Sequence, residues 1–199
     1  MTTTLYLVRH APHALQGEVM VGRRPGIPLA EGASHWLDHL ARRFRGERVD
    51  LVYASPMERA QATARVVADA AAARIETAPD LDELDLGEWT GRRLADMERE
   101  PSFQLWCRDR TMARAPGGES LLEAQLRMVR QAESACRAWP DGQVALVSHG
   151  DPIRCLLTHY LGLGLAGMDR FDIDPASVSV VVMAGWGAKV LSLNERVPG

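Results

Sequence analysis

The sequence predicts an α/β fold in which helices flank a mostly parallel central sheet. Short apolar runs typical of buried strands alternate with longer stretches of helical periodicity, as expected for strands joined by helical crossovers. The chain has 199 residues, of which 46% are hydrophobic, and this is enough to bury the core of one domain. We therefore expect a single domain over residues 1–199.

Six strands are predicted from the short apolar runs. They lie at about 4–9, 49–54, 74–78, 143–148, 177–183 and 188–193. The segment from about 80 to 118 is instead irregular and charged, and it contains tryptophan. We expect this segment to form a cover at one edge of the sheet.

Three helix starts carry recognisable signals. Ser55-Pro56-Met57-Glu58 offers an N-cap, a proline at the first helical position and a capping-box glutamate, which predicts a helix running towards Ala73. Ser120-Leu121-Leu122-Glu123 is a second capping box and predicts a helix that reaches about Ala138. A third helix is predicted from Asp151-Pro152.

Composition limits the partners and the compartment that we expect. The formal net charge of -3 and the pI near 6.1 provide no global basic field, so neither nucleic acid nor a membrane is expected as a partner. The start of the chain lacks the features of a signal peptide. Cys107, Cys136 and Cys155 are odd in number and widely spaced, which indicates inert, buried thiols, and we expect a cytoplasmic protein.

Charged residues follow three of the predicted strands. The first strand ends in Arg9-His10, the second leads into a helix that carries Arg59, and the fourth ends in Ser148-His149-Gly150. Ligands of open parallel sheets bind beyond the carboxyl ends of the strands, so these side chains are expected to meet there. The sequence therefore predicts one site that contains two histidines and two arginines.

Such a group of side chains suits a phosphate dianion. Guanidinium groups match the geometry of phosphate oxygens, and the N-terminus of a helix adds partly positive N–H groups. A neutral imidazole can attack phosphorus, while arginines and a second histidine neutralise the oxygen charge without a metal. We therefore predict a phosphoryl-transfer site in which one of the two histidines is the nucleophile.

The motifs around these residues resemble those of the histidine phosphatase superfamily, which shares its fold with cofactor-dependent phosphoglycerate mutase. Leu7-Val8-Arg9-His10 resembles the signature at its start, Ser55-Pro56-Met57-Glu58-Arg59-Ala60 resembles its second motif, and Val147-Ser148-His149-Gly150 resembles its third. The resemblance spans nearly the whole chain. It implies a three-layer sandwich of the phosphoglycerate mutase type.

The resemblance also implies a role for each residue of the predicted site. His10 would be the residue that is phosphorylated. Arg9 and Arg59 would hold the phosphoryl oxygens, and His149 would hydrogen-bond the phosphoryl group in the transition state. The implied activity is a metal-independent, acid-type phosphatase that needs no cofactor and acts on a small phosphate ester.

A proton donor is implied by an acidic segment that resembles the acid motif of the family. In this motif Glu83 stands at the proton-donor position. The residues alone do not select it, because Asp82, Asp85 and Glu88 are equally acidic and such a cluster is usually a solvated loop. Glu83 is therefore an expectation from the resemblance only.

Three further residues enter the predicted phosphate- or substrate-binding set. They are Gln16, Arg23 and Gly150. Gln16 stands where the family commonly has a phosphate-binding asparagine, and Ala11 stands where it usually has glycine. Alanine adds a methyl group and glutamine carries the amide on a longer side chain, so both departures affect how a phosphate would be positioned.

Other functions are compatible with the same residues. A phosphoglycerate mutase-type phosphotransferase and an inactive binding module of the same fold are the alternatives to hydrolysis. The acid motif is more similar to that of the broad phosphatase branch, including α-ribazole phosphatase-like members, and we therefore favour hydrolysis. The oligomeric state is open, with a homodimer among the options.

The remaining histidines and one segment have weaker functional signals. His35 and His39 have the i,i+4 spacing of metal ligands, but no third ligand is evident and we predict no metal site. His13 is expected to be an exposed loop residue, with the mouth of the pocket as the alternative position. Residues 101–115 contain Phe103, Trp106, Arg108, Arg110 and Arg114, and we expect substrate choice to be decided there.

Overall fold

A sheet of six strands forms the middle layer of the computed structural model, which describes residues 1–196. The strands are β1 (Thr2–Arg9), β2 (Leu51–Ala54), β3 (Ile75–Thr77), β4 (Gln143–Ser148), β5 (Val178–Ala184) and β6 (Gly187–Glu195). Their order is β3-β2-β4-β1-β5-β6, in which the first four are parallel and β5 is antiparallel to both of its neighbours. The prediction of a mostly parallel sheet is confirmed.

Helices cover both faces of this sheet. They are α1 (Ser34–Phe44), α2 (Glu58–Ala71), α3 (Leu94–Met97), α4 (Pro101–Arg108), α5 (Leu121–Ala138) and α6 (Gly150–Leu161), with short 3-10 turns at Pro79–Leu81, Gly87–Trp89 and Leu165–Arg170. None of the helices in the described part of the chain combines the length and the apolar composition that a bilayer crossing requires.

The central strand β1 shows how the three layers are held together. Successive side chains of a strand point to opposite faces. Tyr6 and Val8 therefore pack with residues of α1 and α2, while Leu5 and Leu7 pack with residues of α5 and α6. This strand is apolar on both faces because both faces are covered by helices. The predicted three-layer sandwich is confirmed.

The segment between β3 and α5 has its own apolar cluster. Leu84, Trp89 and Phe103 pack with Leu121 at the start of α5 and with Cys155 in α6. The sequence predicts a cover for a sheet edge, whereas this segment lies at the carboxyl end of the sheet, where its apolar side chains meet those two helices. It thus lies beside the three strand ends that carry the predicted site.

The two predicted capping boxes have different outcomes. At α5 the Glu123 N–H donates to Ser120 Oγ at 3.3 Å and the Ser120 N–H donates to Glu123 Oε2 at 2.6 Å, which confirms the box. The box predicted at Ser55 is wrong, because α2 begins only at Glu58 and has no side-chain cap. The Glu58 carboxylate instead accepts the Gly26 N–H at 2.9 Å.

The structure also corrects the prediction for one of the cysteines. Cys155 is buried and Cys136 is half-buried, but Cys107 is exposed on α4. This short helix presents Phe103 to the core and leaves the face that carries Cys107 in solvent.

Replacement of Ser120 by alanine tests the contribution of the confirmed capping box. We expect Ser120→Ala to lower the free energy of unfolding by about 1 kcal/mol, because the first turn of α5 loses its side-chain acceptor. Urea denaturation of both proteins measures the difference. Ser34→Ala is the matched control, since Ser34 begins α1 without a capping hydrogen bond and its replacement is expected to have little effect. Equal losses in the two variants would contradict the assignment.

Candidate active site

Hydrogen bonds between neighbouring strands bring the three strand ends together. Arg9 pairs with Ser148 in the register of β1 and β4, and the His10 N–H donates to the Ser148 carbonyl at 3.0 Å. On the other side of β4, the Ser55 N–H donates to the Val147 carbonyl at 3.0 Å. His10, His149 and the start of the chain segment leading to Arg59 therefore lie side by side at the carboxyl end of the sheet.

His10 is buried, and its two ring nitrogens have different surroundings. Nδ1 lies 2.7 Å from the Ala11 carbonyl, which can only accept a hydrogen bond, so Nδ1 carries the proton and Nε2 keeps its lone pair. Burial holds the pKa of His10 well below its usual range, and the charges of Arg59 and Arg9 lower it further. The imidazole is consequently neutral and nucleophilic near neutral pH.

Ala11 fits without displacing the histidine beside it. Its side chain is fully buried, and its N–H donates to Thr63 Oγ1 at 3.0 Å. The Thr63 hydroxyl in turn donates to the Arg59 carbonyl at 2.8 Å. The extra methyl group packs in the apolar cluster of α1 and α2, while the backbone N–H of Ala11 joins the segment after His10 to α2.

The two arginines are each anchored by one nitrogen and leave others unpaired. Arg9 Nη1 donates to the Ile173 carbonyl at 2.5 Å, and Arg59 Nη2 donates to the Gly22 carbonyl at 2.8 Å. Arg9 Nε and both Nε and Nη1 of Arg59 are buried without a partner among the described residues. Unpaired buried donors are costly, so these groups indicate a position that an anion occupies.

Gly150 and Gly22 are the glycines that this arrangement requires. A Cβ atom on Gly150 would lie 3.3 Å from Cζ of Arg9, so its absence lets the guanidinium lie against the first turn of α6. Gly22 has a φ of +46°, and a Cβ atom there would meet the Leu84 carbonyl at 3.2 Å. Its own carbonyl is thereby free to hold Arg59.

His149 faces His10 and is held from behind. The two rings are 5.0 Å apart between centroids, and His149 Nε2 lies 2.8 Å from Ser55 Oγ. Its Nδ1 has no hydrogen-bond partner among the described residues and lies 3.6 Å from Glu83 Oε2. Burial, followed by the proximity of His10, holds the pKa of His149 well below its usual range. Nδ1 is thus available to a ligand between the two rings.

Glu83 differs from the other acidic residues of its segment. Asp82 accepts hydrogen bonds from Ser55 Oγ at 3.1 Å and from the Glu83 N–H at 2.8 Å, and Glu88 is exposed. Glu83 instead faces His149, and burial together with the charge of Asp151 raises its pKa to about 7 against the opposing effect of Arg59. A carboxyl group that is protonated near neutral pH is suited to donate a proton.

Two of the predicted binding residues have other contacts in the structure. Arg23 donates to the Glu83 carbonyl at 2.8 Å and to Glu119 at 2.9 Å, so its guanidinium holds the acidic segment in place, and its role in phosphate or substrate binding stays a prediction. Gln16 is exposed and lines a separate cavity of about 450 Å³ with Trp36 and Asp174. The predicted phosphate contact of Gln16 has no support in this arrangement and stays a prediction.

The expectation that His13 is exposed is wrong. Its side chain is buried, its ring centroid lies 5.6 Å from that of His10, and its Nδ1 accepts the Leu15 N–H at 3.2 Å. Burial and the nearby charges of Arg59 and Arg9 lower its pKa to about 4. His13 thus lies within the positive field of the two arginines.

Within residues 1–196 one group of three side chains has the spacing of metal ligands. It consists of His10, Glu83 and His149, whose ligand atoms lie within 4.8 Å of one another. The pair His35 and His39 on α1 gains no third ligand in the same part of the chain. Whether the central group binds a metal or a phosphate depends on the charges around it.

The structure also reveals contacts that the sequence did not indicate. Ser55 holds His149 and is itself held by Asp82. Arg110 donates to both carboxylate oxygens of Asp151, at 3.2 and 2.5 Å, and its guanidinium lies 4.0 Å from the centroid of the Trp106 ring. Ser55 directly follows β2, which is a position typical of site residues. The sequence pattern instead indicates a helix cap, so its contact with His149 was not predicted.

The match to known proteins covers nearly all of this chain. The model of the histidine phosphatase superfamily (branch 1) matches residues 5–196. The chain belongs to this superfamily. The resemblance of the three motifs is thereby confirmed, and so is the expectation of a fold shared with phosphoglycerate mutase-like proteins.

Members of the superfamily with different names are similar to this chain. Phosphoserine phosphatase 1 from Hydrogenobacter thermophilus is 31% identical over 195 residues, which are 96% of this chain and 91% of that protein. The protein named "Probable phosphoglycerate mutase GpmB" from Enterobacter sp. (strain 638) is 32% identical over 192 residues, which cover 92% of this chain and 89% of that protein. The crystal structure of the α-ribazole phosphatase from Shigella flexneri has a TM-score of 0.84 at 26% identity and covers 98% of each chain.

The low pKa of His13 predicts a pH dependence of stability. An unfolded histidine binds a proton near pH 6.5, whereas folded His13 does so only near pH 4. The contribution of neutral His13 to the free energy of unfolding is therefore complete above pH 6.5 and is lost as the pH falls towards 4. Urea denaturation measures the free energy of unfolding at pH 7 and at pH 4.5. Between these two pH values we expect it to fall by about 1 to 2 kcal/mol less in His13→Asn than in the wild type. His35→Asn, at an exposed position, is the control. A pH dependence in His13→Asn that equals that of the wild type would contradict the lowered pKa of His13.

Proposed function

We propose that this superfamily member is a metal-independent phosphomonoester hydrolase that acts through a phosphohistidine on His10. The observation that carries the proposal is the neutral imidazole of His10, whose Nε2 lone pair lies among unpaired nitrogens of Arg9, Arg59 and His149. A phosphoryl group there would satisfy these donors and lie against the nucleophile at once. The same convergence argues against an inactive binding module, which has no need of a lone pair directed at its ligand.

The first step forms a bond between His10 Nε2 and phosphorus while the bond from phosphorus to the ester oxygen breaks. Arg9 and Arg59 neutralise the charge of the phosphoryl oxygens. His149 donates from Nδ1 when the Ser55 hydroxyl turns its proton from Asp82 to His149 Nε2, because the neutral ring then carries its own proton on Nδ1. Glu83 gives its proton to the departing oxygen, so that the leaving group is an alcohol. The products of this step are the alcohol, phosphorylated His10 and ionised Glu83.

The second step reverses the roles with water as the nucleophile. Ionised Glu83 takes a proton from water as the water oxygen attacks phosphorus. The bond from phosphorus to Nε2 breaks, inorganic phosphate leaves, and neutral His10 and protonated Glu83 are restored. A pKa of about 7 allows Glu83 to serve as acid and then as base near neutral pH.

Electrostatics supports a phosphate site over a metal site. Burial is the main cause of the low pKa values of His10 and His149, and the charges of Arg59 and Arg9 lower both further, which means that these charges oppose the addition of positive charge there. A divalent cation between His10, Glu83 and His149 would meet the same repulsion. A phosphoryl group carries the opposite charge and is attracted.

A mutase activity is the second candidate, since the relative named GpmB carries that designation. A mutase would return the phosphoryl group to a glycerate, and it would have to hold the glycerate carboxylate. The two activities are distinguished by adding water alone to the phosphoenzyme: we expect inorganic phosphate to be released without a glycerate acceptor, whereas a mutase would keep the phosphoryl group until a glycerate binds.

Replacement of His10 tests the phosphohistidine directly in a buffer that contains a chelator. We expect His10→Ala to lower kcat for p-nitrophenyl phosphate by at least about a thousandfold, because no other group replaces the nucleophile. An acid-labile phosphoenzyme should be trapped by rapid alkaline quench in the wild type and in the control His35→Asn, which changes an exposed histidine of α1, but not in His10→Ala. Full activity of His10→Ala, or loss of wild-type activity on chelation, would contradict the proposal.

Replacement of Glu83 tests proton donation. For glycerol phosphate, kcat/KM of the wild type should fall as the pH rises through about 7, because Glu83 then loses the proton that it donates. Glu83→Gln should lower kcat/KM for this substrate by about a hundredfold or more and remove that pH dependence. The loss for p-nitrophenyl phosphate should be smaller, since p-nitrophenolate leaves readily without a proton. Glu88→Gln, at an exposed position, is the control, and equal losses for both substrates would count against the role of Glu83.

A further inference from the structure

A small cavity adjoins the phosphate centre on the side of the proton donor. It has a volume of about 150 Å³ and is lined by Gly22, Glu83, Leu86, Trp106 and Asp151 together with aliphatic neighbours. Two of these residues belong to the phosphate centre as well, because the Gly22 carbonyl holds Arg59 and Glu83 faces His149. An ester oxygen that receives a proton from Glu83 must carry its organic group into or past this cavity.

The chemistry of the lining is unusual because its two charged side chains are both carboxylates. Glu83 is committed to proton transfer, which leaves Asp151 as the second charged group. Among the described residues that line the cavity there is no lysine or arginine. A leaving group with a carboxylate or a second phosphate would therefore meet negative charge, whereas one with an ammonium or a hydroxyl would find an acceptor.

Asp151 is held in a fixed position by the segment that follows α4. Arg110 donates to both of its oxygens, and the Arg110 guanidinium lies over the Trp106 ring. Asp151 remains about a quarter exposed (26%), so its oxygens keep room for a further donor. Arg110 also lowers the pKa of Asp151 against the effect of burial, and the carboxylate stays ionised while Glu83 is protonated.

We propose that this cavity is the leaving-group subsite and that Asp151 recognises an ammonium or hydroxyl group of a small leaving alcohol. This inference rests on the proposed phosphatase function. The volume of about 150 Å³ corresponds to roughly five water molecules and is below the roughly 300 Å³ of pockets for larger ligands. The preferred substrate is accordingly a short phosphate monoester that bears a hydrogen-bond donor close to its ester oxygen.

Three phosphate esters of nearly equal size test the recognition. They are ethyl phosphate, 2-hydroxyethyl phosphate and 2-aminoethyl phosphate, which differ only in the group at the second carbon. We expect the wild type to prefer at least one of the two donor-bearing esters over ethyl phosphate by about tenfold to a hundredfold in kcat/KM, as expected for a hydrogen bond to a charged group. The ester with the higher kcat/KM shows whether Asp151 recognises a hydroxyl or an ammonium group.

Asp151→Asn is the decisive variant, and it should reduce that preference to about threefold or less. The loss of charge beside Glu83 also alters proton donation to the leaving group. Ethanol and ethylene glycol are alcohols of similar basicity, so this effect largely cancels in the ratio of kcat/KM for 2-hydroxyethyl phosphate to kcat/KM for ethyl phosphate. Arg110→Gln, which leaves the carboxylate in place and releases its anchor, should reduce the preference in part. Asp169→Asn, at an exposed aspartate near Arg154, is the matched control and should keep the wild-type ratio.

The outcomes separate the subsite from the proposed function. A wild type that cleaves p-nitrophenyl phosphate but shows no preference among the three esters, or cleaves none of them, overturns the subsite and leaves the phosphatase intact. An equal loss for all three esters in Asp151→Asn also overturns it. A wild type that cleaves neither p-nitrophenyl phosphate nor any of the esters overturns the proposed function itself.

Discussion

The site depends on two guanidinium groups that lie beside a neutral histidine. Arg59 is fully buried and Arg9 is half-buried, so both carry charge into a region with little water, and each guanidinium is anchored there by a single backbone carbonyl. Burying an unpaired charge is costly, so the folded protein carries an unfavourable term that an anion would relieve. The same charges keep His10 deprotonated, which is the state that a nucleophile requires.

This field also separates the roles of the two carboxyl groups near the site. Glu83 is buried and is affected by Asp151, so its proton is retained to about pH 7 even though Arg59 opposes this. Asp151 is held by Arg110 and stays ionised. One carboxyl group is thereby suited to proton transfer and the other to recognition, and this division arises from the environments of two residues of similar chemistry.

Much of the arrangement could be predicted from the sequence because local signals agreed with the fold. Short apolar runs mark the six strands, and the parallel strands β1 and β4 direct Arg9-His10 and His149 to the carboxyl end of the sheet. Ser120 caps its helix because both partners of the box lie within four residues of each other. Such signals are contained in neighbouring residues and need no knowledge of distant contacts.

The parts that could not be predicted depend on partners that are far apart in the chain. Ser55 resembles a helix cap, but Asp82 and His149 engage its hydroxyl. The contacts of Arg23 with Glu119 and with the Glu83 carbonyl, which hold the acidic segment, could not be predicted either.

The central claim concerns which atom receives the phosphoryl group. A crystal structure with orthovanadate, which mimics the transferring phosphoryl group, tests it most directly. We expect vanadium to bond to His10 Nε2, with Nε of Arg9, the unpaired nitrogens of Arg59 and Nδ1 of His149 donating to the vanadate oxygens. A vanadate bound away from His10, or a metal ion coordinated by His10, Glu83 and His149, would contradict the account.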